Sequence, residues 1–481
     1  MYLLLLLITS SLASELTVNT TSGPIHGFYN DTTQTVRSFL GIPYAEPPTA
    51  SHRFLPAVPK TYSPSPFNAS SFGPTCPGLY TFSNESIWSV LPYLPWNTDS
   101  MSEDCLSLNV WAPAKRHKSG KRDGKAAVMM YVYGGAFTQG STAIPFYDGS
   151  NIVRDNEDVV VVTFNYRVTV FGYPNAPGVR QNAGLLDQRL AVEWVQQNIA
   201  NFGGDPSRIM LFGQSAGSAS VDIYAHAYPD NPIVHAFGME SGAANIITSN
   251  DTTYQNWDRL SKALGCGSGS ESLECMQKKP FEDILDEVSG DYEFAPLQDD
   301  IIVFADYTKR RAAKVPTLLG GTKRETAAYF NLSSASINET LEFAQTQTTF
   351  NCLIQEAALL RYKQNIRTWR YLYHGNWKNL SPTRWLGAYH SSDVPMVFGT
   401  YNKTTARVPS SAEQVKSSRY IQGAWVAFAK DPQNGLETYG WPRYNPDEKT
   451  LINLALNNTI SAAFSSAKNW DSHCDGSSYV A

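Results

Sequence analysis

The sequence predicts an α/β protein with a large, mostly parallel central sheet flanked by helices. The continuous apolar runs 128–133 and 159–164 are typical of strands buried on both faces of a parallel sheet. Apolar residues recur at helical spacing over 185–199, and a third strand-like run, 208–212, follows them. A helical pattern over 218–225 comes soon after that run. Strands and helices that alternate in this way indicate α/β architecture.

Later segments extend the same pattern. Residues 315–320 and 369–373 are predicted to be strands, and residues 420–430 are predicted to form a helix. Residues 24–113 are rich in proline and aromatic side chains, which favours short strands or irregular structure. The sequence has no repeat and no linker, so we expect residues 14–481 to form one domain.

The composition argues against one class of partner. Of the 481 residues, 42% are apolar and 17% are charged, so the chain can bury a large core. The formal net charge of −5 provides no basic surface for nucleic acid or for an anionic membrane. The basic run 115–122 is interpreted as a solvated loop. Nucleic acid is therefore not an expected partner.

Residues 1–13 have the pattern of a secretory signal peptide. An apolar run is followed by small residues, with Ser11 and Ala13 before a predicted cut at Ser14. No later run approaches the roughly 18 apolar residues that a membrane-spanning helix needs, and the polar C-terminal tail does not resemble a lipid-anchor signal. We therefore expect a soluble, secreted, extracellular protein without an integral membrane segment.

In a secreted chain, several N-x-S/T sequons are expected to carry glycans on surface loops. The sequon at Asn379 is weakened by the following Pro382. The other candidates begin at Asn19, Asn30, Asn68, Asn84, Asn250, Asn331, Asn338, Asn402 and Asn457.

The six cysteines form an even set, which favours disulfides in an oxidising compartment. None of them stands in a C-x-x-C or His/Cys cluster with zinc spacing, so we expect neither a metal nor a cofactor. They are Cys76, Cys105, Cys266, Cys275, Cys352 and Cys474.

A Gly-x-Ser-x-Gly pentapeptide, Gly213–Gly217, joins the strand-like run 208–212 to the helical pattern that follows. This is the context of a nucleophile elbow, a sharp turn that lifts a serine hydroxyl out of a sheet. Glycines two residues either side leave room for the strained turn, because side chains there would clash. The pentapeptide is short enough to arise by chance, so Ser215 needs a base and an acid to qualify as a nucleophile.

A serine hydroxyl needs a base to remove its proton, and the base needs an acid to orient it. Behind such an elbow the chain order is serine, acid, histidine, which leaves His374, His390 and His473 as bases. His390 stands in a predicted loop, where a side chain can reach another strand end. Glu325 follows the predicted strand 315–320 by a short loop, as a catalytic carboxylate at a strand's carboxyl end does. Other acids and histidines stay open on pattern alone.

Longer motifs of the chain resemble those of the type B carboxylesterase and cholinesterase family, from about Thr17 to the last cysteine. The serine motif matches throughout, and the second motif departs only where Ser107 replaces the usual Tyr or Thr. The resemblance implies an α/β-hydrolase fold. In the family's order, the motifs are Phe39–Pro48 with Arg53-Phe54, Glu103–Val110, Asn165-Tyr166-Arg167, Asn182–Gln188 and Phe202–Gly217.

The resemblance also implies a role for individual residues. Ser215 is implied as the nucleophile, Glu325 as the acid and His390 as the base of a Ser-Glu-His triad. Thr326 stands where a glycine usually follows the acid, and the segment from the acid to the histidine is shorter than in cholinesterases.

The turn Tyr133–Phe137 resembles the family's oxyanion loop, with Ala136 where glycine is commoner. An oxyanion hole uses backbone N–H groups, so alanine serves if its backbone angles are allowed. The resemblance makes the amides of Gly135, Ala136 and Ala216 the implied donors.

Pairings and ion pairs follow from the same resemblance, and all are implied to be structural. They are the disulfides Cys76–Cys105, Cys266–Cys275 and Cys352–Cys474, and the ion pairs Arg53–Glu103 and Arg167–Asp187.

The loop between Cys76 and Cys105 corresponds to the segment that rims the gorge in esterases of this family and forms the lid in related lipases. Its apolar content is high for an exposed loop, which leaves two interpretations open. It packs against the body, or it is a lid that contacts acyl chains or a lipid surface. Trp96 lies near the position of the tryptophan with which cholinesterases bind a quaternary ammonium. One tryptophan does not make a choline site, so choline specificity is not expected.

The leading hypothesis is a secreted serine carboxylic ester hydrolase that acts through an acyl-enzyme on a small-molecule or lipid ester. An extracellular lipase with the Cys76–Cys105 loop as its lid is the close alternative. The alternative from a different class is a non-catalytic adhesion or binding relative, since fold alone does not fix function. Such relatives usually lack a triad member, whereas this chain has candidates for all three.

Overall fold

The computed structural model of the protein describes residues 15–29, 34–80, 85–93, 100–114, 124–288, 292–404 and 408–474. The predicted signal peptide, the basic run 115–122, and the positions Asn30, Asn84 and Trp96 lie outside the described residues. Among the helices that are described, none combines the length and the apolar character that a bilayer-spanning segment requires.

Strands occur from the beginning to the end of the described chain. They are β1 (Thr17–Thr20), β2 (Gly23–His26), β3 (Phe28–Tyr29), β4 (Val36–Pro43), β5 (Phe67–Asn68), β6 (Ser107–Pro113), β7 (Ala126–Val132), β8 (Val159–Phe164), β9 (Gly204–Gln214), β10 (Ala236–Glu240), β11 (Thr317–Thr322), β12 (Thr368–Tyr373), β13 (Leu451–Leu454) and β14 (Ala463–Ser465).

Helices lie between and after these strands. They are α1 (Ile87–Val90), α2 (Ser150–Asn156), α3 (Thr169–Gly172), α4 (Ala183–Asn198), α5 (Ala216–Ala227), α6 (Gln255–Ala263), α7 (Ser272–Lys278), α8 (Phe281–Val288), α9 (Glu339–Thr346), α10 (Cys352–Lys363), α11 (Val394–Phe398), α12 (Ala412–Lys430) and α13 (Gly435–Thr438). Short 3-10 turns include Pro145–Tyr147 and Glu325–Tyr329, and a π-turn at Gln347–Asn351 joins α9 to α10.

An 11-stranded sheet dominates the described residues, in the order β14-β13-β12-β11-β10-β9-β7-β8-β6-β4-β3. Its centre, from β8 to β13, is parallel. Antiparallel neighbours complete both edges, with β6, β4 and β3 on one side and β14 on the other. The carboxyl ends of the parallel strands therefore meet at one edge of the sheet, where ligands bind in α/β proteins.

The α/β prediction is confirmed, and the apolar runs explain why. β7 and β8 are buried at every position, as strands covered on both faces must be. Helices cover the sheet: α5 packs against β9 and β10, and α12 packs against β7 and β9. α12 begins at Ala412 rather than at Tyr420, because the Ser411 side chain accepts a hydrogen bond from the Gln414 amide and caps the helix.

Some strands of the sheet were not predicted individually. β4 and β6 fall in the segment 24–113, for which short strands or irregular structure were expected, and both pair antiparallel at the edge of the main sheet. β10 was missed because Gly238 interrupts its short apolar run. A side chain at Gly238 would place its Cβ 2.6 Å from Cβ of Phe212 on β9, so close strand packing requires the glycine there.

Three disulfides join Cys76 to Cys105, Cys266 to Cys275, and Cys352 to Cys474, which are the pairings that the resemblance implies. Two buried ion pairs also have the implied partners. Arg53 Nε donates to Glu103 Oε1 at 2.6 Å, and Arg167 Nη2 donates to Asp187 Oδ1 at 2.6 Å.

Candidate active site

Ser215 lies at the point where β9 turns sharply into α5. Its φ of 59° and ψ of −125° belong to a backbone region that side-chain-bearing residues rarely adopt. Two backbone hydrogen bonds hold this conformation: Ser215 N donates to the Glu240 carbonyl at 2.8 Å, and Ala219 N donates to the Ser215 carbonyl at 2.9 Å. Ser215 thereby borders a cavity at the carboxyl edge of the sheet.

The two glycines of the pentapeptide are required by contacts with the backbone. A Cβ at Gly213 would lie 2.6 Å from the Gly217 carbonyl oxygen, and a Cβ at Gly217 would lie 2.1 Å from the Val132 carbonyl oxygen. Any side chain at either position would therefore force the elbow open. The pentapeptide therefore has the turn geometry of a nucleophile elbow as well as its sequence pattern.

Glu325 and His390 form a buried pair at the same edge. Glu325 opens the turn that follows β11, and its Oε2 lies 2.6 Å from His390 Nδ1. The other carboxylate oxygen, Oε1, accepts a hydrogen bond from Thr322 N at 2.6 Å, and His390 N donates to the Glu325 carbonyl at 3.2 Å. With a carboxylate at Nδ1, the ring proton lies on Nδ1, which leaves Nε2 as an acceptor.

His390 Nε2 is held by a residue that the sequence reasoning missed. Gln214 Nε2 lies 3.0 Å from it, inside the buried site. Aromatic rings surround the imidazole: the ring of Phe350 is 4.7 Å away between centroids, and the rings of Trp88 and Tyr329 are each 6.2 Å away. The position of Gln214 directly before Ser215 was the only signal that could have identified it.

Two more carboxyl groups are buried behind the pair. Tyr371 donates its hydroxyl to Asp393 Oδ2 at 3.1 Å, and Trp425 Nε1 donates to Glu240 Oε1 at 2.7 Å. Burial, and after it the charge of Glu325, raises the pKa of Asp393 to about 7. Burial, and after it the charge of Asp393, raises the pKa of Glu240 well above its usual range. These carboxyl groups therefore hold protons at pH values where exposed carboxyl groups are ionised.

The turn after β7 has an unusual backbone. Gly135, Ala136 and Phe137 all have positive φ, at 116°, 56° and 59°. For a residue with a side chain, this left-handed conformation costs roughly 1–2 kcal/mol. A Cβ built on Gly134 would lie 2.8 Å from Ser215 Cβ, so the turn abuts Ser215. Such strained backbone persists where the surrounding structure fixes it, which is typical of functional sites.

The three residues whose backbone amides are implied as oxyanion donors lie near Ser215. Gly135 and Ala136 border the cavity, and Ala216 is the first residue of α5. The first amides of a helix have no partner within the helix and attract negative charge. The Ala216 N–H is such an amide, and it directly follows Ser215.

The cavity has a volume of about 510 Å³ and is mostly apolar and aromatic. No carboxylate, lysine or arginine of the described chain lines it, so His390 is its one titratable nitrogen base. Its wall consists of Tyr80, Trp88, Tyr93, Gly134, Gly135, Ala136, Gln139, Gly140, Ile144, Tyr147, Gln214, Ser215, Ile246, Ile247, Thr326, Tyr329, Gln345, Thr349, Phe350, His390 and Ser391.

Part of that wall comes from the Cys76–Cys105 loop, through the segment 85–93. Trp88 and Tyr93 border the cavity, and the Tyr93 hydroxyl donates to the Ser391 carbonyl at 3.1 Å. Glu85 fastens the other end of the segment, because its carbonyl accepts a hydrogen bond from Leu332 N at 2.9 Å. The segment thus packs against the body and lines the cavity at the same time.

The alternative histidines lie elsewhere. His374 Nε2 lies 2.9 Å from Asn453 Oδ1, beside a separate cavity of about 360 Å³. The ring of His473 packs against Phe343 at 5.2 Å between centroids. Of the histidines left open by chain order, His390 is the one that borders the cavity of Ser215.

Comparison with known proteins agrees with this geometry. The model of the carboxylesterase family matches residues 14–339 and 328–471. A protein of Aspergillus niger named chlorogenic acid esterase is 38% identical over 437 residues, which cover 87% of this chain and 83% of that protein. Secreted lipase 5 of Gibberella zeae is 32% identical, covering 95% of this chain and 93% of the lipase. Acetylcholinesterase of Danio rerio is 28% identical, covering 87% of this chain and 81% of the enzyme.

The family match covers nearly the whole described chain, and the chain forms an 11-stranded sheet with flanking helices. Both findings agree with the resemblance drawn from the motifs. The chain therefore belongs to the carboxylesterase family of α/β-hydrolases, and it is a carboxylic ester hydrolase.

Proposed function

We propose that the protein is a secreted serine esterase that works through an acyl-enzyme, with Ser215 as nucleophile, His390 as base and Glu325 as acid. One observation carries the proposal. A histidine bonded to a buried carboxylate at 2.6 Å opens onto the same cavity as a serine on a strained elbow. Nucleophile, base and orienting acid in one buried site are the requirements of this chemistry.

The reaction has two halves. His390 Nε2 takes the Ser215 proton while Oγ bonds to the ester carbonyl carbon, and the negative oxygen is stabilised by the amides of Gly135, Ala136 and Ala216. His390 then gives the proton to the departing alcohol as the ester C–O bond breaks, which leaves an acyl-enzyme. A water molecule repeats the sequence, releases the acid and restores the serine hydroxyl.

Replacing the nucleophile tests the proposal. Ser215→Ala is expected to lower kcat on a nitrophenyl ester by about 10⁴-fold or more, because the acyl-enzyme then cannot form. Ser270→Ala, at an exposed serine outside the cavity, is the matched control. Purified Ser215→Ala protein that retains the parent's esterase rate would refute the mechanism.

For the substrate, the mostly apolar, aromatic cavity supports a neutral ester with an aromatic part. The relative named chlorogenic acid esterase points in the same direction. A panel of a hydroxycinnamate ester, nitrophenyl esters of increasing acyl length and a choline ester tests this preference by kcat/KM. A highest kcat/KM on the choline ester would contradict it.

A lipase is the second candidate. The relative named secreted lipase 5 favours it, as do two exposed apolar side chains near the cavity, Val90 and Tyr329, on the 85–93 segment and on the neighbouring turn. A lid lipase is expected to speed up when a triglyceride passes its solubility limit and forms droplets. A rate that follows dissolved substrate alone would argue for the esterase.

Secretion is proposed with the signal peptide at 1–13. The protein recovered from the culture medium is expected to begin at Ser14, and N-terminal sequencing checks this. Mass spectrometry before and after removal of N-glycans would identify occupied sequons. Among the described candidates, Asn19, Asn68, Asn250, Asn331, Asn338, Asn402 and Asn457 are exposed.

A further inference from the structure

Gln214 lies between His390 and the turn after β7. It is the last residue of β9, is 2% exposed and borders the cavity. Its Nε2 donates to His390 Nε2 over 3.0 Å. Its carbonyl end faces the turn after β7, since a Cβ built on Gly134 would lie 3.1 Å from Gln214 Oε1. The one amide therefore touches the base and faces the oxyanion loop.

The nitrogen that Gln214 holds is the one that has to react. Because Glu325 occupies Nδ1, the lone pair that accepts the Ser215 proton is on Nε2. In the free protein this lone pair accepts the N–H of Gln214. Ser215 must therefore share or displace that hydrogen bond at the moment of attack.

When His390 takes up the proton, its Nε2 changes from a hydrogen-bond acceptor to a donor, so its neighbour must accept instead of donate. As an imidazolium, Nε2 carries a hydrogen, and an amide N–H that points at it is repelled. A glutamine amide has a donor and an acceptor on one group, and its terminal torsion is soft. Turned over, it offers Oε1 to the imidazolium. A glutamate would only accept from the imidazolium, and a methionine of similar length would neither donate nor accept well.

We propose that Gln214 is a positioning residue that bonds His390 Nε2 in both of its protonation states by turning its amide over. The inference rests on the proposed Ser215–His390–Glu325 mechanism. It explains why a side chain with both a donor and an acceptor is buried beside the reacting nitrogen.

Because of the groups around His390, the charge of the side chain at position 214 matters. The titratable groups that face this site from the packed elements are acidic in the part of the chain that the structure describes. They are Glu325, Asp393 and, behind it, Glu240, together with the hydroxyls of Tyr93, Tyr329, Tyr371 and Tyr389. A further carboxylate at position 214 would act directly on Nε2, with no cation of this group to offset it.

Two substitutions in the full-length secreted protein test the proposal. Gln214→Glu adds a charge with little change of shape, and Gln214→Met removes the hydrogen bonds. Gln433→Glu and Gln433→Met repeat both changes at an exposed glutamine outside the cavity lining. The measurements are kcat and KM on a neutral nitrophenyl ester across the active pH range, with the melting temperature of each variant.

Gln214→Glu is expected to move the low-pH limb of kcat/KM upward by about one pH unit or more, because a nearby negative charge raises the pKa of an imidazole. Gln214→Met is expected to lower kcat about tenfold with little change in KM and with the limb unmoved, since both protonation states lose a partner. The Gln433 variants are expected to match the parent.

Either of two results overturns the proposal: a Gln214→Glu enzyme with the parent's low-pH limb, or a Gln214→Met enzyme with the parent's kcat. The proposal would also be overturned if both variants lost kcat equally, had lower melting temperatures and kept the parent's low-pH limb of kcat/KM. Gln214 would then have a merely structural role. These failures differ from failure of the mechanism itself, which would appear as activity in Ser215→Ala.

Discussion

The catalytic edge of the sheet and the 85–93 segment both border the cavity, but they are built differently. Ser215 follows directly on β9, and Glu325 opens the turn after β11. The Ser215 amide donates to the Glu240 carbonyl on β10, and the Glu325 carbonyl accepts from His390 N. The 85–93 segment belongs to a loop that is tied to the body by a disulfide, by the Tyr93 hydroxyl and by the Glu85 contacts. Rigid elements position reacting atoms more precisely than loops do. Substitutions in the first region should therefore change kcat, and those in the second should change KM.

The largest effect is expected at the acid. Glu325→Gln keeps the shape of the side chain but loses the charge that orients His390 and stabilises its imidazolium, so kcat should fall by about 10⁴-fold with KM nearly constant. Glu448→Gln, at an exposed position, is the control. If KM rose and kcat stayed constant, Glu325 would behave like a residue of the cavity wall, which would contradict the comparison.

The next effect is on stability. Asp393 has its pKa raised to about 7 by burial and by Glu325, so the folded state binds this proton more tightly than the unfolded chain. Stability should therefore fall as pH rises from about 4 through 7 and then level off. Asp393→Asn removes this term, keeps an acceptor for Tyr371, and should gain on the order of 3 kcal/mol over the parent at pH 8.

Melting temperature against pH measures that prediction. The parent and Asp393→Asn curves are expected to converge near pH 4 and to separate towards neutrality. Parallel curves would mean that Asp393 ionises in the folded protein as easily as an exposed carboxyl group.

The strained turn after β7 should respond to side-chain shape rather than to polarity. Ala136→Val puts a β-branched residue at a φ of 56°, where it is a steric outlier, so the amide should move and kcat should fall by about 100-fold. Ala136→Gly accepts the same angle without strain and should keep the parent's kcat. Equal rates for the two variants would remove the Ala136 amide from the oxyanion hole.

The smallest effect is expected in the loop. Trp88→Ala removes an aromatic ring from the cavity wall, so KM for an aromatic ester should rise about tenfold, whereas kcat should change little. Tyr62→Ala, an exposed aromatic outside the cavity, is the control. A large fall in kcat would instead mean that Trp88 helps to hold His390, whose ring lies 6.2 Å away.

Sequence reasoning identified the parts of the fold in which one local rule dominates. Strands covered on both faces, such as β7 and β8, are uninterrupted apolar runs. The elbow could be identified because its glycines are required by contacts within a few residues or with the adjacent strand. β10 escaped detection because its glycine is required by packing against a neighbouring strand, which no local pattern records.

Some residues of the site could be proposed from the sequence, and others could not. The positions of Ser215, Glu325 and His390 could be proposed from chain order and motif, whereas Gln214 and the carboxyl groups of Asp393 and Glu240 could not. The contact between Gln214 and His390 joins segments far apart in the chain, and burial raises the pKa of the Asp393 and Glu240 carboxyl groups. Such properties arise from the folded environment and not from the residue's neighbours in sequence.

The Glu85 contact also bears on how the protein is produced. Asn331 and Ser333 both donate hydrogen bonds to the Glu85 carboxylate, and together they form the sequon Asn331-Leu332-Ser333. A sugar on Asn331 would replace a hydrogen of the amide that holds the cavity wall. Protein from a host that attaches N-glycans and protein from one that does not would then differ at the rim of the same catalytic cavity, with identical sequences.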